Sequence, residues 1–195
     1  GATIKGKAMF VCANRSIAYD FYKELIKQRP AWAEVMFAEE GAELTDKEKK
    51  EIIPIERVKM VMTRGKDDPE ELYQLLGTKE YRKELDKQFK NEKSNFKIAI
   101  VVDMWLTGFD VPFLDTIYID KPIQRHNLIQ TISRVNRTFQ GKNKGLVVDY
   151  IGIKKQMNMA LAQYGKVESQ NFEDIDASVI VVKDHLDLLA KMFHP

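Results

Sequence analysis

The chain predicts an α/β fold with a mostly parallel sheet, and three observations point there. Short apolar runs of strand length, at residues 7–12, 97–102 and 146–149, alternate with stretches of helical length and helical spacing. These runs are nearly continuous in apolar residues instead of alternating with polar ones, as in strands covered on both faces. A length of 195 residues with 44% hydrophobic content suffices for one core and leaves a C-terminal remainder.

Taken in order, residues 7–12 form the first strand, with Ala8, Met9, Phe10 and Val11 leading to Cys12. A turn at Asn14-Arg15-Ser16 opens a helix over 16–28, in which Ile17, Phe21 and Leu25 recur every four residues. Asn14 and Ser16 carry the side-chain oxygens that cap a first turn. Residues 35–38 are a short strand, and the Lys/Glu-rich stretch 43–51 is a solvated helix or linker. Strand 58–63 leads to helices over 68–76 and 81–91. The acidic run Asp67-Asp68-Pro69-Glu70-Glu71 reads as a helix N-terminal charge cluster, and Tyr81, Leu85 and Phe89 are assigned to the core. Strands over 97–102, 116–119 and 146–149 complete the sheet.

From residue 153 the character changes. Met157, Met159, Ala160, Leu161 and Tyr164 suggest a helix, 167–178 a polar connection and 179–193 a second helix, with no strand between them. The expected division is therefore a domain over 1–152 and a helical extension over 153–195.

Composition narrows the function classes. Lys+Arg 31 against Asp+Glu 29 gives a net charge of +2, too balanced for bulk electrostatic binding of nucleic acid, so any such binding must come from local patches. The single cysteine, Cys12, lies in an apolar strand and reads as a buried side chain in a reducing compartment. His126, His185 and His194 show no metal-ligand spacing, so no metal site is expected among this chain's residues. No apolar run reaches the roughly 18 residues of a membrane span, and no signal pattern opens the chain; the expectation is a cytoplasmic protein without a membrane partner.

Two segments carry candidate chemistry. In Gln130-Thr131-Ile132-Ser133-Arg134-Val135-Asn136-Arg137, a helical phase of 100° per residue places Gln130, Arg134 and Arg137 within about 60° of one another. Leu128, Ile132 and Val135 point the other way. Two planar, fork-shaped guanidinium groups on a core-anchored helix suit a phosphate chain. The second segment follows strand 97–102: Asp103-Met104-Trp105-Leu106-Thr107-Gly108-Phe109-Asp110-Val111-Pro112. It lies beyond the carboxyl end of its strand, where open α/β sheets bind ligands. Gly108 permits close backbone approach, Asp110 is an acceptor suited to a ribose, and Trp105 is assigned to packing in preference to base stacking.

At these residues the chain resembles the second motor domain of superfamily 2 helicases and translocases. Residues 102–110, V-D-M-W-L-T-G-F-D, resemble motif V, and residues 130–137, Q-T-I-S-R-V-N-R, resemble motif VI. With V-V-D-Y-I-G at 147–152 the likeness narrows to the motor (R) subunit of type I restriction-modification enzymes; residues 7–25 resemble motif IV more loosely.

The resemblance implies a RecA-like three-layer domain that drives ATP-dependent translocation along double-stranded DNA. It implies that Arg134 and Arg137 contact the γ-phosphate as catalytic residues, that Gln130, Gly108 and Asp110 bind ATP, and that Asn14, Arg15 and Thr107 meet DNA. Thr131 stands where many helicases carry another arginine, and Val102 where RNA helicases of the DEAD-box kind carry a nucleic-acid-contacting threonine. The type I family accounts for these departures, whereas an RNA helicase does not; an idle protein-docking module is the other alternative. No G-x-x-x-x-G-K-[ST] loop and no D-E-x-x box after a strand occur in the chain. The expectation is half of a motor, inactive alone, with ATP and Mg²⁺ bound mainly by a first motor domain of the same longer chain. Methyltransferase and specificity subunits are the further partners implied.

Overall fold

The computed structural model describes residues 6–38, 41–106, 110–111, 113–123, 125–135, 145–152 and 179–181. Its centre is a six-stranded sheet in the order β4-β5-β1-β6-β7-β8, every neighbouring pair parallel. The strands are β1 (Lys7–Cys12), β4 (Val58–Val61), β5 (Ile98–Val101), β6 (Leu114–Asp120), β7 (Leu146–Asp149) and β8 (Val179–Val181). A separate antiparallel ribbon joins β2 (Val35–Met36) to β3 (Ile55–Glu56). The helices are α1 (Arg15–Gln28), α2 (Asp46–Glu51), α3 (Glu70–Leu76), α4 (Lys79–Phe89) and α5 (Arg125–Val135).

Two apolar layers sandwich the sheet, so the architecture is three-layered, as the sequence predicts. Successive strand residues face opposite sides. Met9 and Val11 of β1, with Ala99 and Val101 of β5, pack against Leu85 and Phe89 of α4 and Leu128 and Val135 of α5. Cys12, Ile100 and Val102 pack on the other face against Ala18 and Leu25 of α1 and Leu72 and Leu76 of α3. Phe10 turns to that second face, stacks on Tyr118 with ring centroids 4.1 Å apart and meets Phe21 at 4.7 Å.

Local chemistry sets the helix ends. The Asn14 side chain accepts from the Ile17 amide at 2.9 Å to start α1, and Pro30, which cannot donate, follows its end. The Lys/Glu-rich stretch is a helix, α2, started by a reciprocal capping box between Thr45 and Glu48. Hydrogen bonding from the Thr45 amide, then from Lys93 and the Thr45 hydroxyl, holds the Glu48 carboxyl down at about 2.

Lys7 is fully buried, a feature the strand pattern did not announce. Its Nζ donates to the carbonyls of Gln88 at 2.8 Å and Asn91 at 2.6 Å and sits 5.1 Å from the Phe89 ring centroid. It thereby places a cation at the negative end of α4 and satisfies carbonyls there.

One expectation needs correction. Val179–Val181 is not the start of a helix; it forms β8, parallel to β7, with Val148 opposite Ile180. Three consecutive β-branched residues favour an extended edge position over a helical first turn. The remainder of the predicted helices over 157–164 and 179–193 lies outside the described residues.

Candidate nucleotide and nucleic-acid site

The carboxyl ends of β5, β1 and β6 lie at one edge of the sheet; Asn14 and Arg15 follow the end of β1, and Asp110 lies in the segment between β5 and β6. The chain runs from β1 out to β4, returns through β5, then passes over β1 to β6 by the segment after Val101. Helix α1 packs on one face and α5 on the other, so the segments after β1 and β6 leave toward opposite faces, the topology at which open α/β sheets bind ligands. Lys121, just past β6, reaches past the end of β1, donating from Nζ to the Val102 carbonyl at 3.2 Å and to the Asp103 carboxylate. Two strand spacings, roughly 9.6 Å, separate the strands it links.

The segment after β5 is fixed at further points. The half-buried Trp105 adopts φ 66, the only positive φ outside glycine among the described residues. Its ring packs on Phe89 at 5.3 Å and on Phe96 at 6.4 Å, which assigns it to the core, as the sequence reading preferred. The Thr131 hydroxyl donates its single proton chiefly to the Asn127 carbonyl at 2.7 Å within α5, with the carbonyl of the buried Leu106 at 3.3 Å as the weaker second acceptor. Thr131, buried, therefore faces inward and holds α5 against the loop after β5.

Helix α5 shows the predicted division of faces where its side chains are described. Leu128 and Val135 are inaccessible, Thr131 is buried, and Gln130 and Ser133 are exposed. Arg134 lies within α5, whereas Arg137 lies outside the described residues, as do Thr107 and Gly108. Asp110 is exposed.

Gly145 marks the close approach of α5 to β7, because a Cβ at that position would stand 2.0 Å from the Val135 carbonyl oxygen. The obstacle is backbone, so it cannot swing aside. Gly145→Ala should cost about 2–3 kcal/mol of stability or displace the last turn of α5, read as a lowered thermal melt. A melt equal to wild type would contradict the packing.

The structure gives the β1–α1 turn a structural role. Asn14 is the α1 cap. Arg15 donates from Nε to Asp68 at 3.2 Å, from a terminal nitrogen to the Thr63 carbonyl at 2.7 Å, and pairs its other terminal nitrogen with Asp68. Asp68 also accepts from the Gly65 amide at 2.6 Å. Burial alone would raise the Asp68 carboxyl, but hydrogen bonds from Arg15 and Gly65 and the guanidinium charge outweigh it and hold the group below its ordinary value. Sequence reasoning saw Asp68 only as part of an acidic cluster; the partners lie 53 residues apart and meet only through the fold.

Burial, then the Asp120 charge, pushes the Cys12 thiol up to about 11, which makes it a poor nucleophile. Among the described residues no group of three or more His, Cys, Asp or Glu is gathered to hold a metal ion, and no helix is long and apolar enough to cross a membrane. An open groove between α2 and the end of α4 lies at the opposite edge of the sheet. Its lysines pair with neighbouring acids, Lys93 with Glu48 at 3.0 Å and Lys90 with Asp86 at 2.8 Å, which does not favour a polyanion.

Comparison with known proteins identifies the family. Residues 4–152 match the family described as type I restriction enzyme subunit R domain 3. The chain is 35% identical over 195 residues to the type I restriction enzyme HindI endonuclease subunit of Haemophilus influenzae, covering 97% of this chain and 17% of that one. It is 40% identical over 92 residues to the type I restriction enzyme SauCOLORF180P endonuclease subunit of Staphylococcus aureus, covering 46% of this chain and 10% of that one. Among solved structures, a fragment assigned to an HsdR subunit of a type I restriction enzyme from Vibrio vulnificus aligns with TM-score 0.49 at 14% identity, over 80% of this chain and 25% of that one. Dbp5 of S. cerevisiae, bound to RNA and ADP BeF3, aligns with TM-score 0.41 at 16% identity, over 99% of this chain and 47% of that one. The chain spans less than a fifth of the length of the curated relatives named, 17% and 10%. On the sequence matches, the chain belongs to the type I restriction enzyme R subunit family, with residues 4–152 corresponding to domain 3 of that subunit.

Proposed function

We propose that this domain is the second motor lobe of an R subunit that translocates double-stranded DNA at the expense of ATP. The observation that carries the proposal is the tie between α5 and the loop after β5, Thr131 Oγ1 to the Leu106 carbonyl at 3.3 Å, at the carboxyl edge of a parallel sheet. It joins the arginine-bearing helix to the segment leading into Thr107, Gly108 and Asp110, so the two can respond to nucleotide as one unit. The donor set suits a nucleoside triphosphate: Gln130 is exposed on α5, Arg134 falls in the same helix, and Asp110 is an exposed acceptor for ribose hydroxyls.

ATP supplies the phosphoryl group whose transfer to water drives the motor. Arg134 and Arg137 neutralise the charge that spreads over that group as its bond breaks. Gln130, Gly108 and Asp110 position the nucleotide. A first motor domain of the longer chain binds most of the ATP and Mg²⁺, and closure of the two lobes brings the arginines across the cleft. Arg15 and Thr107 contribute to the DNA track, Asn14 shaping its turn; the Arg15–Asp68 pair presents a fixed, partly neutralised guanidinium, so this contribution is modest. Methyltransferase and specificity subunits complete the cytoplasmic restriction enzyme.

This assignment has a direct consequence for the domain by itself. Without a phosphate-binding loop it should not hydrolyse ATP, and with Lys+Arg at 31 nearly balanced by Asp+Glu at 29 it should bind duplex DNA only in the non-specific range, roughly 10⁻⁴ to 10⁻⁶ M at physiological salt. Turnover by the purified domain, or sub-nanomolar binding insensitive to salt, would overturn it.

A further inference from the structure

We infer that the ribbon of β2 and β3 is a docking surface, and that its occupant is another domain of the same R-subunit polypeptide, one other than the first motor domain. Among the described residues, Val35 is 60% exposed, Met36 38% and Phe37 40%, three consecutive large apolar side chains open to solvent. The other exposed large apolar side chains, Ile17, Tyr73 and Ile151, stand singly, which is ordinary for a protein surface. Strand residues alternate between faces, so Val35 and Met36 point to opposite sides of the ribbon, and neither side covers its residue. An edge strand normally guards itself with charge or proline; β2 carries neither.

The patch is anchored. Ile55 of the inner strand is buried, and its carbonyl accepts from the buried Asn95 side chain at 2.7 Å. β2 pairs with that strand, Val35 opposite Glu56 and Met36 opposite Ile55. Before β2, the Trp32 carbonyl accepts from the Arg57 amide at 3.1 Å, and the half-buried Trp32 packs against the α1 layer. Apolar surface held in water is favourable to bury, and a partner that covers Val35, Met36 and Phe37 gains that burial without ordering the ribbon first.

Two observations select the occupant. The first is size. An aromatic side chain buries roughly 150–250 Å², so three apolar side chains already partly covered fall below the ~800 Å² per partner that holds separately diffusing proteins together. Within one polypeptide the effective concentration is on the order of millimolar, and a small apolar contact suffices. The R subunits that this chain matches are several times its length, so their polypeptides carry further domains to meet it. The second is position. The strands of the six-stranded sheet are parallel and β3 leads into the amino end of β4 through Arg57, so the ribbon lies at the edge opposite Asn14 and Arg15. On the motor reading above, the first motor domain closes over the carboxyl edge, which leaves the ribbon to a different neighbour.

The test places the photo-crosslinker p-benzoylphenylalanine at position 37, and separately at position 35, of the full-length R subunit, illuminated alone and in its assembly. Linked peptides are identified by mass spectrometry and covalent dimers by denaturing gel. The expected result, with and without the other subunits, is a link to the same chain outside residues 4–152 and outside the domain that holds the phosphate-binding loop. Links confined to residues 4–152, to the first motor domain, to a methyltransferase or specificity subunit or to a second R subunit would overturn the inference, as would no link at all. As a second readout, Val35→Lys combined with Phe37→Lys should speed proteolytic cleavage between this domain and the rest of the full-length chain at least about tenfold, the change that follows loss of one large apolar contact. Unchanged cleavage would count against docking; should the double variant fail to fold, the crosslink alone decides. An R subunit without DNA-stimulated ATPase would defeat the motor reading, while the crosslink pattern still decides the docking surface.

Discussion

Replacing Arg134 or Arg137 by alanine in the full-length enzyme should lower DNA-stimulated ATP turnover by roughly 10³- to 10⁵-fold while leaving the fold intact, a range set by analogy with arginine fingers. The kinetic half of this expectation follows from charge. A transferring phosphoryl group spreads negative charge over its oxygens, and a guanidinium delivered from a rigid helix stabilises it without reorganisation at the moment of reaction. The structural half follows from α5, whose attachment to the sheet runs through Leu128, Thr131 and Val135, all buried. By helical phase, position 134 falls about 40° from Gln130, which is exposed. Lysine should rescue poorly, because a point charge cannot replace a bidentate fork. Mutants that melt like wild type yet keep near-normal ATPase would return the two arginines to an ordinary solvated surface.

Lys7→Ala should be the most destabilising single change outside the site, at about 3–5 kcal/mol. Three losses add. A long side chain leaves a fully enclosed space, the carbonyls of Gln88 and Asn91 each lose a charged donor, and the cation leaves the carboxyl end of α4 and the Phe89 ring. Lys7→Met separates them: it refills most of the volume and should recover roughly half of the loss. For a domain of this size each kcal/mol corresponds to about 2–4 °C in the thermal melt, so the alanine variant should melt on the order of 10 °C lower. A shift below about 2 °C would show that the buried ammonium is nearly neutral in its net contribution.

The sheet was legible because burial on both faces leaves a plain mark, a continuous apolar run. Lys7–Cys12 and Leu146–Asp149 have the bounds the sequence predicts, and β6 extends past its predicted ends to Leu114 and Asp120, where Asp115 and Asp120 interrupt the apolar run. What stayed hidden depends on contacts distant in sequence. A lysine opening a strand reads as a solvated edge until α4 is found to end upon it. Arg15 reads as a free cation until the turn after β4 brings Asp68 to it. Val179–Val181 reads as helix when taken with the amphipathic residues after it, and pairing with β7 decides otherwise.

The site divides in the same way. The inward direction of Leu128 and Val135 and the outward direction of Gln130 follow from helical period and are observed. The Thr131–Leu106 tie and the left-handed turn at Trp105 carry no sequence signal, since neither residue type announces it. The placements of Thr107, Gly108 and Arg137 lie outside the described residues, and their roles rest on the motif resemblance.

The central claim, that this lobe supplies arginines to the phosphoryl-transfer step, is tested most directly by trapping that step. The measurement is retention of ADP with aluminium fluoride, a mimic of the transferring phosphoryl group, by the full-length assembly on duplex DNA, for wild type, Arg134→Ala and Arg137→Ala, beside the affinity of each for ATP. The account predicts that wild type holds the mimic tightly while both variants bind ATP within about tenfold of wild type and fail to retain the mimic, because the arginines act mainly where charge develops. Retention by the variants equal to wild type would contradict it.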